Sequence, residues 1–85
     1  MSTARHIAIM LDQHLTAYPD HWPIVCHATS TANALREKQF DAIIETRPRT
    51  AWHARRLRPI QLTDTRTGQL CPAAVYQLRP QRKQP

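Results

Sequence analysis

The sequence has few of the residues that mark several common classes of protein. Its 85 residues include one glycine, two cysteines, five aromatic residues (two Trp, two Tyr and one Phe) and half as many acidic as basic side chains. A single glycine leaves no glycine-rich loop for binding phosphate, and two cysteines cannot form a dense disulfide framework. The longest apolar stretch, residues 7–11, is far shorter than the roughly 20 residues that cross a bilayer. We therefore expect a soluble protein that is not inserted in a membrane.

Catalytic and metal-binding patterns are weak as well. The six acidic residues are scattered singly and do not suggest paired carboxylates in a cleft. Cys26, His27, His53 and Cys71 could supply four metal ligands, but an adjacent Cys-His pair does not match the spacing of structural zinc sites. Cys26 and Cys71 are more simply small core residues of a protein in the reducing cytoplasm, since no signal-peptide pattern is seen. The sequence predicts no enzyme, no catalytic residues, no metal and no cofactor.

The positive charge lies almost entirely in the second part of the sequence. The formal net charge is +6, of which residues 1–35 contribute −1 and residues 36–85 contribute +7. A basic region of this kind is expected where a protein binds a polyanion, because each Lys or Arg beside a phosphate releases condensed counterions. The alternative is a basic surface that only maintains solubility.

The first part of the sequence predicts three helices. Residues 3–16 place apolar side chains at three- and four-residue intervals, which is typical of one helix face. Asp20 can cap a short second helix over residues 21–27, with Pro23 in its first turn. Possible N-cap hydroxyls at residues 29–31 precede residues 32–39, whose composition favours a third helix with a polar outer face.

The second part predicts extended structure. Residues 42–46 are rich in β-branched side chains and indicate a strand. Residues 47–59 have no clear period and hold five arginines, so we interpret them as a basic loop. Residues 60–63 and 70–78 form the arms of a hairpin whose turn contains Gly68, with Pro72 at an edge or irregularity. Residues 79–85 are expected to be a disordered basic tail.

This order of elements resembles the winged helix-turn-helix architecture of small DNA-binding proteins from phages and other mobile elements. Residues 29–36 look like the start of a recognition helix, residues 42–46 like the strand that follows it, and residues 64–69 and 74–78 like a wing tip and its returning strand. The resemblance implies an α+β fold of three helices followed by a small antiparallel sheet or hairpin wing. The domain would span residues 1–78, with the tail at 79–85.

The resemblance also implies a sequence-specific protein that binds double-stranded DNA, pairs as a homodimer and regulates transcription. Its third helix would read bases in the major groove through Ser30, Asn33 and Arg36. Alternatively, Ser30 caps the helix and the other two side chains are solvated. The residues expected on phosphates are Thr31, Lys38, Arg47, Arg49, Arg55, Arg56, Arg58 and Arg66.

Two questions stay open at the level of sequence. Trp52, inside the basic loop, could stack on a base or pack on the core, and the small number of aromatic residues favours the core. The basic surface could also belong to a phage-type inhibitor or adaptor that binds an acidic surface of a host protein complex, because fold does not decide function.

Overall fold

A computed structural model describes residues 6–28, 44–64 and 67–81 of the chain. In that part of the chain the elements are β1 (His6–Leu11), α1 (Asp12–Ala17), β2 (His21–Ile24), β3 (Cys26–Ala28), β4 (Glu45–Pro48), β5 (Trp52–Thr63) and β6 (Leu70–Pro80). The described part is therefore mostly β-structure with one short helix. The prediction of a winged helix-turn-helix fold with three helices and a hairpin wing is wrong.

The strands form two antiparallel sheets. The larger sheet has the order β3-β1-β6-β5, and the smaller sheet pairs β2 with β4. In the larger sheet, Ile9 on the central strand β1 lies between Cys26 of β3 and Val75 of β6. In the smaller sheet, Trp22 lies opposite Arg47.

The first predicted helix is mainly a strand because β1 is apolar on both of its faces. Ile7, Ile9 and Leu11 pack on one side of the sheet, while Ala8 and Met10 pack on the other. A strand buried on both faces is a continuous apolar run, and such a run cannot be distinguished from a helix by its period. In the described part of this segment, helix begins only at Asp12, where the six residues of α1 follow β1.

The second predicted helix is replaced by β2 and β3. Pro23 lies in β2 opposite Thr46. Among the described strands, β2 pairs only with β4, so one side of its backbone has no partner strand and a missing N–H is tolerated there. The amide of Val25 donates to the carbonyl of Ile9 at 3.1 Å, which brings the chain from β2 to the edge of the larger sheet. The third predicted helix lies outside the described residues, as does the first half of the predicted strand over residues 42–46.

The predicted hairpin is present as the end of a longer one. Its arms pair from Ile60 with Ala73 to Thr63 with Leu70, and Gly68 adopts a positive φ of 75° in the turn, which glycine tolerates best. The interpretation of residues 47–59 as a loop is wrong, because β5 already begins at Trp52. The period is lost there because a β-bulge at residue 57 inserts one extra residue into the strand.

Two apolar clusters cover the two faces of the larger sheet. The first cluster contains Ile9, Leu11, Val25, Cys26, Leu62, Cys71, Ala73 and Val75. The second cluster contains Ala8, Met10, Ile24, Ala74, Tyr76 and Leu78. The prediction that both cysteines are core residues is confirmed, since both are buried. Trp52 packs against the second cluster, so its core role is confirmed as well.

Candidate functional site

The most cationic surface of the described chain is a row of side chains along one face of β5 and β6. Opposed residues of an antiparallel pair project from the same face, so the register assigns these side chains to the face of the first cluster. Arg58 lies opposite Val75, Arg55 opposite Gln77, and His53 opposite Arg79. We call this set the cationic row: His53, Arg55, Arg58 and Arg79.

The cationic row is fully accessible. All four side chains are exposed, and among the described residues none of them forms a hydrogen bond or an ion pair. Successive members along β5 are two ladder positions apart, because the bulge places Arg55 and Arg58 on one face although they are three residues apart in sequence. This separation corresponds to about 7 Å along a strand. The row therefore presents Arg55 and Arg58 one such interval apart on β5, with Arg79 beside them on β6.

The strand that holds the row is an edge strand. In the described part of the chain, β5 pairs with β6 on one side and with no strand on the other. A proline at residue 59 and the bulge at residue 57 interrupt its outer side, and both features hinder pairing with another strand. Arg56, next to the bulge, projects from the opposite face beside Tyr76 and is also exposed.

Arg49 has a structural role within the fold. Its guanidinium group lies over the ring of Trp22, 4.4 Å from the centroid. The same group donates to the carbonyl oxygens of Leu15, Tyr18 and His21, each at 2.9 Å. The end of a helix leaves carbonyl groups without intrahelical partners, and Arg49 supplies donors to that end of α1. Its charge is therefore used to attach α1 to the smaller sheet.

Arg47 is also engaged within the fold. It forms an ion pair with Glu45 at 3.0 Å and lies over the ring of Trp52, 4.5 Å from the centroid. Trp52 in turn accepts a hydrogen bond at its carbonyl from Nε1 of Trp22, at 3.1 Å. The Arg47–Trp52 contact and the Trp22–Trp52 hydrogen bond thus connect the small sheet to the large one, and neither Arg47 nor Arg49 belongs to the cationic row.

A pair of half-buried histidines adjoins this junction. The ring centroids of His6 and His27 lie 4.8 Å apart. The ring of His6 also lies edge to face with that of Trp52, with 5.7 Å between the two centroids. Burial is the main factor that lowers the pKa of His6, and the nearby His27 and Arg47 lower it further, against a smaller opposing effect of Glu45. The fold consequently favours the neutral form of His6.

An open cavity of about 440 Å³ lies on the other face of β5, beside the start of α1. Its polar lining groups are Asp12, Arg56 and Gln61, and its apolar lining includes Pro59 and Pro72. It is separated from the cationic row by the thickness of one strand, because the register places Arg56 and Arg55 on opposite faces.

The chain matches no family model, no curated protein and no solved structure. Within residues 6–28, 44–64 and 67–81, no group of three or more His, Cys, Asp or Glu side chains could hold a metal ion. No helix in that part of the chain is long and apolar enough to cross a membrane.

The residues predicted from the sequence are only partly brought together. Arg55, Arg56 and Arg58 all lie on β5, with Arg55 and Arg58 on one face and Arg56 on the other. Arg47 and Arg49 are present at the junction of the two sheets. The other predicted positions lie outside the described residues: Ser30, Thr31, Asn33, Arg36, Lys38 and Arg66.

Sequence reasoning misses two further residues. It assigns Arg79 to a tail, yet β6 extends to Pro80, and it gives no role to Asp12, which lines the cavity. The alternation of residues 52–55, with Trp52 and Ala54 inward and the intervening side chains outward, is the signal that could have predicted the strand.

Proposed function

We propose that the protein binds the phosphate backbone of a nucleic acid along β5, through the cationic row. The observation that supports this most is the group of three exposed arginines, Arg55, Arg58 and Arg79, on one face of β5 and β6, with no acidic partner among the described residues. Like charges placed this densely repel one another unless an anion lies between them. Guanidinium groups match phosphate oxygens in geometry and stay charged at every relevant pH.

The geometry favours a polyanion over a single small anion. The interval of about 7 Å between members of the row is comparable with the distance between successive phosphates of one nucleic-acid strand. A nucleic-acid strand that runs parallel to β5 would therefore place successive phosphates beside Arg55 and Arg58. Such contacts position a protein on nucleic acid and supply affinity, but they do not read sequence. Double-stranded DNA, the partner expected from the sequence, is the first ligand to test.

The proposal is tested by a salt titration of binding to a short labelled DNA duplex and to its separated strand. Fluorescence anisotropy at about 50 to 200 mM salt gives the slope of log affinity against log salt. We expect R55A/R58A to weaken binding at least about tenfold and to reduce the steepness of the slope by about 2, one for each phosphate that the variant no longer neutralises.

Thr63→Ala is the matched control, because it is an exposed position on the same strand and carries no charge. It should leave both affinity and slope unchanged. An unchanged slope in the double variant, or no binding of either DNA by the wild-type protein at the lowest salt, would show that the proposal is wrong.

A second candidate function is supported by the open edge of β5. Residues 52–56 contain neither proline nor the bulge, so their outer backbone groups could pair with an extended acidic segment of a host protein. Arginines on both faces would then contact acidic side chains of the added strand. This candidate predicts that an acidic extended peptide displaces DNA from the protein. It also predicts that Ala54→Pro lowers the affinity for the peptide more than the affinity for DNA.

A further inference from the structure

The cavity on the second face of β5 is open to solvent and combines charged and apolar lining groups. Its volume of about 440 Å³ falls within the range of about 300 to 1,000 Å³ typical of such sites. The register shows that Arg56, Pro59 and Gln61 project toward it from β5, opposite Tyr76, Ala74 and Pro72 of β6. The cavity therefore has a floor made by two strands, with Asp12 at one side.

The charged groups of the cavity are not paired with each other. Asp12 and Arg56 both line it, but no ion pair between them occurs in the described part of the chain. Both charges affect the nearby hydroxyl of Tyr76. Burial is the main cause that raises the pKa of Tyr76; Arg56 lowers this pKa and Asp12 raises it. A carboxylate offers only acceptors and a guanidinium only donors. The site thus fits a ligand that has donors and acceptors on different edges.

The apolar lining favours a flat ligand. Pro59 and Pro72 are diagonal neighbours on this face, since Pro59 pairs with Ala74 and Pro72 with Gln61. Diagonal neighbours are about 7 to 8 Å apart at their Cα atoms, so the two exposed proline rings flank the cavity as two separate apolar surfaces. An unpaired base has a flat face that can lie against such surfaces while its edges are hydrogen-bonded.

We infer that this cavity binds one unpaired guanine base, with Asp12 and Arg56 as the recognising groups. Among the four bases, guanine alone has two adjacent donors, N1–H and the 2-amino group, which one carboxylate can accept together. Its O6 and N7 atoms are acceptors, and an arginine can donate to both. Gln61 adds a third polar group to the cavity, a side-chain amide that can both donate to and accept from the base.

This inference rests on the proposed function, because the base would arrive on a strand whose phosphates lie along β5. The cationic row and the cavity occupy opposite faces of that same edge strand, so a strand that follows the edge can present phosphates to one face and a base to the other. The preferred ligand is then a single strand, or a duplex with an unpaired guanine, because a base-paired guanine has no open N1–H.

The test compares labelled oligothymidine with the same oligomer carrying one central guanine or one central inosine. Wild-type protein should prefer the guanine oligomer by about tenfold or more, and inosine, which lacks the 2-amino group, should lose part of this preference. D12N should bind all three oligomers alike, since an amide cannot accept from both donors. Asp20→Asn, at an exposed turn, is the matched control and should keep the preference.

The outcomes separate the two proposals. Salt-dependent binding of all oligomers without a preference for guanine overturns the guanine site and leaves backbone binding intact. If no oligomer binds, backbone binding fails, and the cavity is tested with GMP and UMP by amide chemical shifts. Shifts at Gln61 and Ala73 with GMP alone support the site, and equal or absent shifts overturn it. The inosine comparison needs no variant and so does not depend on how D12N folds.

Discussion

Two pairs of arginines that are close in sequence differ in what they do. Arg47 and Arg49 lie over tryptophan rings and bind acceptors within the fold. Arg55 and Arg58 are exposed on an edge strand and have no internal partner in the described part of the chain. Arginine thus stabilises the fold at β4 and the turn that follows it, whereas on β5 it provides exposed surface charge.

The difference follows from the position of each strand. β4 pairs with β2 close to the two tryptophans, so arginine stems there pack on aromatic faces and their heads meet acceptors of the fold. Among the described strands, β5 has a neighbour on one side only, and Arg55 and Arg58 project into solvent from one of its faces. Charge density in the sequence therefore does not measure the charge available to a partner.

The largest effect is expected from removing Arg49. R49A should lower the free energy of unfolding by about 2 to 3 kcal/mol, because three carbonyl groups lose a charged donor and the Trp22 ring loses its cover. Urea denaturation followed by tryptophan fluorescence measures the change. Arg55→Ala is the control of the same residue type, and an equal loss of stability in both variants would contradict the distinction.

A smaller effect is expected from pH, through the histidine pair beside Arg47. Because the fold lowers the pKa of His6, the folded state binds fewer protons than the unfolded chain. The stabilising contribution is present above the ordinary pKa near 6.5 and is lost as the pH falls below it. Urea midpoints between about pH 7.5 and pH 5 should decline.

The pH effect has an internal control. His6→Gln should weaken the dependence, and the remainder is expected from His14, whose pKa burial also lowers. His53→Gln, on the exposed row, should leave the dependence as it is in the wild-type protein. A dependence that His6→Gln does not alter would assign the effect to other groups.

The smallest effect on stability is expected from R55A/R58A. Exposed side chains without partners usually change the free energy of unfolding by no more than about 0.5 kcal/mol when removed. The urea midpoint of the double variant should therefore match that of the wild-type protein even where its DNA affinity falls. A clear loss of stability would mean that these arginines belong to the fold, as Arg49 does.

Part of the fold can be predicted from local chemistry. Gly68 and the alternation on either side of it predict the hairpin turn, and both are present. These features depend on a few neighbouring residues. The buried cysteines and the core position of Trp52 follow from composition, since such side chains are rarely left exposed.

The rest depends on contacts that the sequence does not display. Both faces of β1 are apolar and each belongs to one of the two clusters. The other members of those clusters come from distant segments, including β3 and β6, so the sequence of β1 alone does not reveal that both of its faces are buried. The role of Arg49 depends on carbonyls 28 to 34 residues earlier in the chain. The cavity likewise joins Asp12 to residues of the distant hairpin, so no local pattern could have indicated it.

The bulge in β5 shifts by one residue the positions of the strand that face each side of the sheet. Before it, Trp52 and Ala54 pack on the second cluster; after it, Ile60 and Leu62 pack on the first. A strand of uniform period could not satisfy both clusters with this sequence, since a slip of one residue sends each side chain to the opposite face. The extra residue, Leu57, therefore lets one strand supply both cores and display cations between them.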